Sequence, residues 1–261
     1  MDNRLLVARQ SAAAGGLLDL VPGAAAAYSL RSLSNTYTDP VVTVRRSSDN
    51  AEDSFTATEV SDGTLAAFCG VGDGFVKEWR DQSGDARHAT QATTANQPKI
   101  VSGGAVILKE GKPALQFDGS DDRMTASHSH SQPATFFSVA TLAGSGSHVL
   151  HDGTTIDARN TIDANGLAYA GSFGLEGSGF VVGQQSLHTV SYNGASSTIH
   201  RNGASDAVGN PGTQGIVGLT IGSAWNSVSH WEGLIQEIII YPSDQSANRE
   251  LIEGNIAWSY S

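Results

Sequence analysis

The 261-residue chain has a single cysteine, Cys69, which excludes an intramolecular disulfide framework and a thiolate zinc cluster. Cys69 ends the apolar run Leu65-Ala66-Ala67-Phe68-Cys69, the setting of a small buried hydrophobe rather than of a nucleophile. Long apolar runs are missing as well. No stretch approaches the roughly 18 residues that a membrane-spanning helix needs, so no membrane insertion is expected. At the N-terminus Asp2 precedes Arg4 and Asp19 interrupts the one apolar stretch, a pattern unlike a secretory signal. Only 16% of residues are charged and acids outnumber bases 26 to 15, giving a formal charge of −11. Nothing makes a basic stripe, which argues against a nucleic-acid partner. Gly70-Val71-Gly72-Asp73-Gly74 lacks the spacing and the βαβ context of a dinucleotide fingerprint, and no nucleophile-elbow motif occurs.

What is abundant is glycine, at thirty residues, together with Ser, Thr, Ala and Asn: the composition of a turn-rich β protein. A single β domain of this length buries roughly 70–75% of its extended surface, so it needs no metal or disulfide for stability. Residues 1–27 differ from the rest. Leu5-Leu6-Val7-Ala8, Ala12-Ala13-Ala14 and Leu17-Leu18-Asp19-Leu20-Val21 form an arm whose apolar surface must find cover elsewhere, on the main domain or on a partner protein. The period of Ala24–Ser34, with Leu30 and Leu33 three apart, predicts a short helix. Val42 and Val44 alternate with Thr43 and Arg45 as a strand, and Arg45-Arg46 then face the acids and amides of 47–53 as a clamp. Thr64–Cys69 reads as a short helix or buried strand, and 75–79 as a strand.

That strand enters the most distinctive run in the chain, Trp79-Arg80-Asp81-Gln82-Ser83-Gly84-Asp85-Ala86-Arg87-His88-Ala89-Thr90-Gln91-Ala92. Its Asp, Ser and Gly specify a tight turn between strands. A hairpin is expected over 105–119. Further strands are expected near 135–142, 147–151, 155–158, 166–173, 179–182, 186–193, 197–202, 217–222 and 231–241. This spacing points to a sandwich rather than to βαβ units. Pro242-Ser243-Asp244 starts a closing helix with Ala247, Leu251, Ile252 and Ile256 inward.

Leu115-Gln116-Phe117-Asp118-Gly119-Ser120-Asp121-Asp122 and Glu232-Gly233-Leu234-Ile235-Gln236-Glu237-Ile238-Ile239-Ile240-Tyr241 are similar to signatures of laminin-G-like, concanavalin-A-like jelly-roll domains. The run Trp79–Ala92 and the C-terminal Trp231–Asp244 segment resemble the catalytic β-sandwich of family-54 α-L-arabinofuranosidases. The likeness spans roughly residues 28–261. It implies an all-β concanavalin-A-like sandwich over 28–261, preceded by a docking arm over 1–27 and ended by a short helix. Ala24–Arg31 through Val44–Glu52 resembles the opening of proteins encoded among tailed-phage virion genes. That second likeness implies a capsid or tail decoration, spike or fibre module located in the virion. It would bind other virion proteins through the arm, be oligomeric in the assembly and hold host-surface glycans. The rival readings are an arabinofuranosidase-type hydrolase and a structural subunit with no ligand.

Retaining glycoside hydrolysis needs two carboxyls about 5 Å apart. The arabinofuranosidase acid is expected after an Ile-Gly-Gly turn, but the matching Ile221-Gly222-Ser223-Ala224-Trp225-Asn226 has no carboxylate, and the Asp-Met-Glu-Asn run is absent. Glu176 is the nearest stand-in for the nucleophile. Glu232 and Glu237, five apart on one strand, are expected on opposite faces. Sugar binding requires aromatic faces and polar side chains, which Trp225, Asn226, His230 and Trp231 supply from one loop-to-strand segment, with Tyr169 and His151 on the same face. No cofactor is required. Asp118, Asp121 and Asp122 in a strand-end turn are calcium candidates, with turn formation as their alternative role. His128 and His130, in Ser127-His128-Ser129-His130-Ser131, are expected in an exposed loop, and His148 and His151 flank a strand.

Overall fold

The computed structural model describes residues 15–171 and 174–260, the Trp258 side chain apart. The first half of the chain contributes β1 (Ala26–Ser29), β2 (Val42–Arg46), β3 (Glu52–Phe55), β4 (Gly74–Trp79), β5 (Ala89–Thr90), β6 (Lys99–Ser102) and β7 (Ala105–Val106). A small ribbon follows, β8 (Leu108–Lys109) with β9 (Lys112–Pro113), and then β10 (Leu115–Asp118), β11 (Met124–His130) and β12 (Ala134–Leu142). The second half adds β13 (Val149–Asp152), β14 (Thr161–Asp163), β15 (Leu167–Tyr169), β16 (Leu175–Glu176), β17 (Gln185–Tyr192), β18 (Ser197–Arg201), β19 (Ala204–Gly209), β20 (Ile216–Ile221) and β21 (Glu232–Tyr241). Among the described residues the α-helices are α1 (Leu17–Leu20), α2 (Ala57–Ser61), α3 (Thr64–Cys69) and α4 (Arg249–Tyr260).

Every pairing is antiparallel. One sheet runs β19-β18-β17-β12-β21, with β1 and β10 side by side along the far edge of β21. The other runs β3-β2-β4, continues through β5 to β11, and then passes β20-β13-β14-β15-β16. The result is the all-β sandwich that the sequence leads one to expect. Phe136, Val190 and Ile238 from the first sheet meet Val44, Trp79, Leu150 and Leu219 from the second in one apolar cluster. The outer face of the first sheet is covered instead by α1 and α4: Leu17, Ile252 and Ile256 pack on Phe137, Ile239 and Tyr241. Each such side chain contributes about 1.5–3 kcal/mol on burial. Beneath that cover Glu237, fully buried, accepts from Arg31 Nε (2.8 Å) and Nη2 (3.0 Å), Ser29 Oγ and the Tyr260 hydroxyl.

Several expectations need correction. Residues 26–29 form a strand, not a helix, because their backbone pairs with Glu237–Ile240 of the long strand β21. Residues 15–27 lie on the sandwich, whereas the Leu5–Ala14 portion of the arm falls outside the described residues. His128 is on β11, not in an exposed loop, and alternation turns it inward. The strands expected at 155–158 and 179–182 are absent, an isolated Thr155–Ala158 bridge standing at the first, and β14, β16 and β19 were not foreseen. The closing helix starts at Arg249, which leaves Ala247 outside it and exposed. A bulge at Gln236, where Val139 faces Glu237 but Ala140 faces Ile235, reverses the alternation along β21. Ile235 and Ile238 therefore share the inner cluster, and Glu232 and Glu237 share the outer face. They stand five residues apart, about 16 Å along the strand, too far to act together.

The Trp79–Ala92 run works as a staple. Asp81 accepts hydrogen bonds from the amides of Ala27 (2.8 Å), Ser83 (2.9 Å) and Arg87 (3.1 Å) and from the Ser83 hydroxyl. Gln82 accepts from Leu33 N and donates to the carbonyls of Ser29 and Arg31. Gly84, at φ 97°, makes the turn. Arg45 and Arg46 clamp their loop, Arg46 holding both oxygens of Asp49 and Arg45 reaching Asn50 and Gln97.

Candidate functional site

At one end of the second sheet, β13 ends in Asp152, whose Cα partner on β20 is Thr220. After β20 the chain turns at Gly222, φ 82°, where a Cβ would strike the Phe117 ring, so glycine is required. This turn brings the Trp225 amide back over Asp152. Asp152 is fully buried and accepts from every side: Arg159 Nε (3.0 Å to each oxygen) and Nη2 (2.7 Å), Thr161 Oγ1 (2.5 Å), Gly153 N (2.8 Å) and Trp225 N (3.0 Å). A buried carboxylate is tolerated when it is paired and hydrogen-bonded in this way. Fully buried and bonded on both oxygens, Asp152 acts as an anchor. The anchored Arg159 guanidinium lies 4.9 Å over the half-buried Tyr169 ring, and Trp225, also half-buried, with exposed Asn226 completes a rim. Aromatic rings, a guanidinium and an amide are donors and flat faces suited to a polyhydroxyl ligand.

No protein-family model matches the chain, and no curated protein does. Among solved structures, a GH54 α-L-arabinofuranosidase soaked with a cyclic sulfate inhibitor superposes with a TM-score of 0.65 at 15% identity, over 89% of this chain and 63% of the other. An arabinofuranosidase complexed with arabinofuranosyl-α-1,2-xylobiose gives a TM-score of 0.63 at 15% identity, over the same shares. This chain shares the arabinofuranosidase sandwich fold. It spans less than two thirds of the length of those proteins.

On this arabinofuranosidase-type sandwich the six residues expected to bind a ligand do not converge. The Trp225 backbone and the Tyr169 ring meet the Asp152–Arg159 pair, and Asn226 follows Trp225 in the chain. His151 does not join them. It is fully buried, stacked on Phe136 at 4.7 Å and 14°, with Nδ1 on the Asn160 carbonyl. Trp231 is core, edge-on to Phe180. His230 turns away from the rim toward the carbonyls of Asp122 (3.3 Å) and Ser227 (3.0 Å).

Glu176 is exposed on β16, and the carboxyl it acts on electrostatically is Asp163. Those residues lie on the two strands that flank β15, close enough for the Glu176 charge to act on Asp163. Asp163 also accepts the amides of Asn165 and Leu167, and burial pushes its carboxyl up.

Asp118, Asp121 and Asp122 hold carboxylate oxygens within 4.8 Å of one another. Asp118 Oδ1 accepts the amides of Ser120, Asp121 and Asp122, and Asp122 accepts that of Asp118, which is turn-forming work. Burial first, and then the Asp118 charge, pushes the Asp122 carboxyl up to about 7.

Two features escape sequence reasoning. The Asp152–Arg159 anchor joins residues seven and seventy-three positions apart, with no period to mark it. The other is a set of buried histidines. His128 Nε2 lies 2.9 Å from His130 Nδ1, and His188 stacks on Phe180 at 3.8 Å with neither ring nitrogen hydrogen-bonded. Burial holds His128 and His188 at about 3 and His130 and His151 at about 4.

Proposed function

We propose that this chain is a carbohydrate-active β-sandwich that holds a glycan against the rim of Trp225, Tyr169, Arg159 and Asn226. The observation that carries this reading is the buried Asp152, which fixes the Trp225 backbone and the Arg159 guanidinium together, so that the rim is organised before a ligand arrives. The fold supports the same class of ligand. One of the structures it resembles holds arabinofuranosyl-α-1,2-xylobiose, which makes arabinofuranose-bearing glycans the first to try. Hydrolysis is the finer form of the proposal, with Glu176 and the neighbouring Asp163 the first carboxyls to test. The virion setting, with other virion proteins as partners, rests on the likeness of residues 24–52 to phage proteins; co-sedimentation with particles tests it.

The central test is tryptophan fluorescence titration and affinity electrophoresis with arabinoxylan, alongside turnover of 4-nitrophenyl α-L-arabinofuranoside. Retardation by arabinoxylan that Trp225→Ala abolishes, in a variant with unchanged unfolding temperature, is the expected result. Equal retardation of Trp225→Ala and the parent would remove the rim from the proposal. Turnover by the parent that Glu176→Gln leaves unchanged would place hydrolysis on other carboxyls.

A further inference from the structure

We propose that His148 and Glu232 form a binding site for a divalent transition-metal ion of the zinc class, separate from the glycan rim. His148 immediately precedes β13 and Glu232 opens β21. The His148 Nδ1 lies 2.6 Å from the His230 carbonyl oxygen. A carbonyl only accepts, so Nδ1 carries the hydrogen and the lone pair is left on Nε2. That Nε2 is buried, has no hydrogen-bond partner, and lies 3.9 Å from Glu232 Oε2. His148 itself is only 8% exposed.

The arrangement leaves two lone-pair donors 3.9 Å apart with no hydrogen bond between them. It is the tautomer that a metal-ligating histidine adopts, its other N–H committed to a backbone carbonyl. Zinc bonds of about 2.0–2.2 Å at a tetrahedral angle put such donors about 3.4 Å apart, so binding asks for a contraction of roughly 0.5 Å. The covering segment Gly144-Ser145-Gly146-Ser147 packs closely over both donors, which is why it carries glycine there. A Cβ at Gly144 would strike the Glu232 carboxylate, and one at Gly146 would lie 3.4 Å from His148 Nε2. Asp118 is the Cα partner of Glu232 in the β10–β21 register, so the local charge also favours a cation. Two protein donors leave the remaining coordination positions to water.

Isothermal titration of the full chain with ZnCl2, and visible absorption with CoCl2, read this directly. One ion per chain is expected, with a rise in unfolding temperature on zinc addition. Both His148→Gln and Glu232→Gln should weaken binding about tenfold or more. Glu232 is half-exposed, so Glu232→Gln keeps the fold and decides the question if His148→Gln does not fold. No heat and no shift at about 1 mM ZnCl2 would overturn the proposal. So would binding that survives Glu232→Gln, or binding lost instead in Asp121→Asn or His130→Ala.

Discussion

Lowering the pH from 7 to 5 should cost this protein most of its stability. His128, His130, His151 and His188 are held neutral in the fold, at about 3, 4, 4 and 3. Unfolded, each titrates near 6.5. The sign follows from those two states. Above 6.5 neither the folded nor the unfolded histidine is charged and stability is full. Between 6.5 and 4 the unfolded chain takes up protons that the folded chain refuses, so stability falls as pH falls. At pH 5 each histidine contributes a loss of about 2 kcal/mol, and four contribute about 8 kcal/mol. Asp122 works in the opposite direction. Its folded value of about 7 exceeds the unfolded carboxylate near 3.9, so the folded chain binds that proton first and regains about 2 kcal/mol over the same interval.

The net loss of about 6 kcal/mol is comparable with the whole stability of an ordinary domain, about 5–15 kcal/mol. Equilibrium urea unfolding followed by tryptophan fluorescence at pH 8, 7, 6 and 5 should show the midpoint falling steadily below pH 6.5. Potentiometry at pH 5 should record net proton uptake on unfolding, by the four histidines less the protons released by the raised carboxyls of Asp122, Asp163 and Glu253. A midpoint unchanged from pH 7 to 5, with loss only below pH 4, would refute the reasoning, because carboxylates alone would then govern acid unfolding.

His188→Phe should flatten that pH dependence by about 2 kcal/mol at pH 5 and be neutral or stabilising at pH 8, since both ring nitrogens are buried without partners beside Phe180; chemical unfolding at both pH values measures it. Arg31→Leu should cost about 3–5 kcal/mol, because it leaves the fully buried Glu237 carboxylate uncompensated, and Glu237→Leu in the same chain should restore much of it. Asp152→Asn should cost about 3 kcal/mol, since an amide nitrogen would meet donors now facing a carboxylate, and should alter Trp225 emission in the native state.

How much of this was legible depended on how far apart the interacting groups lie in the chain. The Trp79–Ala92 turn could be read because Asp81, Ser83 and Gly84 make it among themselves. Its larger role, tying β4 to β1, could not, because Ala27 and Leu33 are some fifty residues away. Ala24–Ser34 was misread for the opposite reason: local helix propensity pointed one way and pairing with β21 another, and a ten-residue central strand wins. β19 has no apolar alternation because it lies on an edge beside β18 and exposes both faces, so no pattern marks it. The Ser127–Ser131 run reads as a polar loop by composition, yet its serines point outward and its histidines inward, an alternating strand written in polar residues.

The same alternation explains why the expected ligand site divided. His151 and Asp152 are consecutive on β13, so a pleated strand sends one inward to Phe136 and the other outward to Arg159 and Trp225. A histidine next to an aspartate in sequence suggests a joint site; on a strand it places them on opposite sides of the backbone. The rim and His151 are therefore neighbours in the chain on opposite sides of β13, and His188, on β17, lies beside Phe180. Trp225→Ala and His188→Phe share no partner and should behave additively. Trp225→Ala is expected to abolish glycan binding while leaving the acid midpoint in place, and His188→Phe to move the acid midpoint while leaving binding in place. Loss of glycan binding in His188→Phe at pH 8, where that variant is as stable as the parent, would show that the interior and the rim act as one unit and that strand alternation does not separate them.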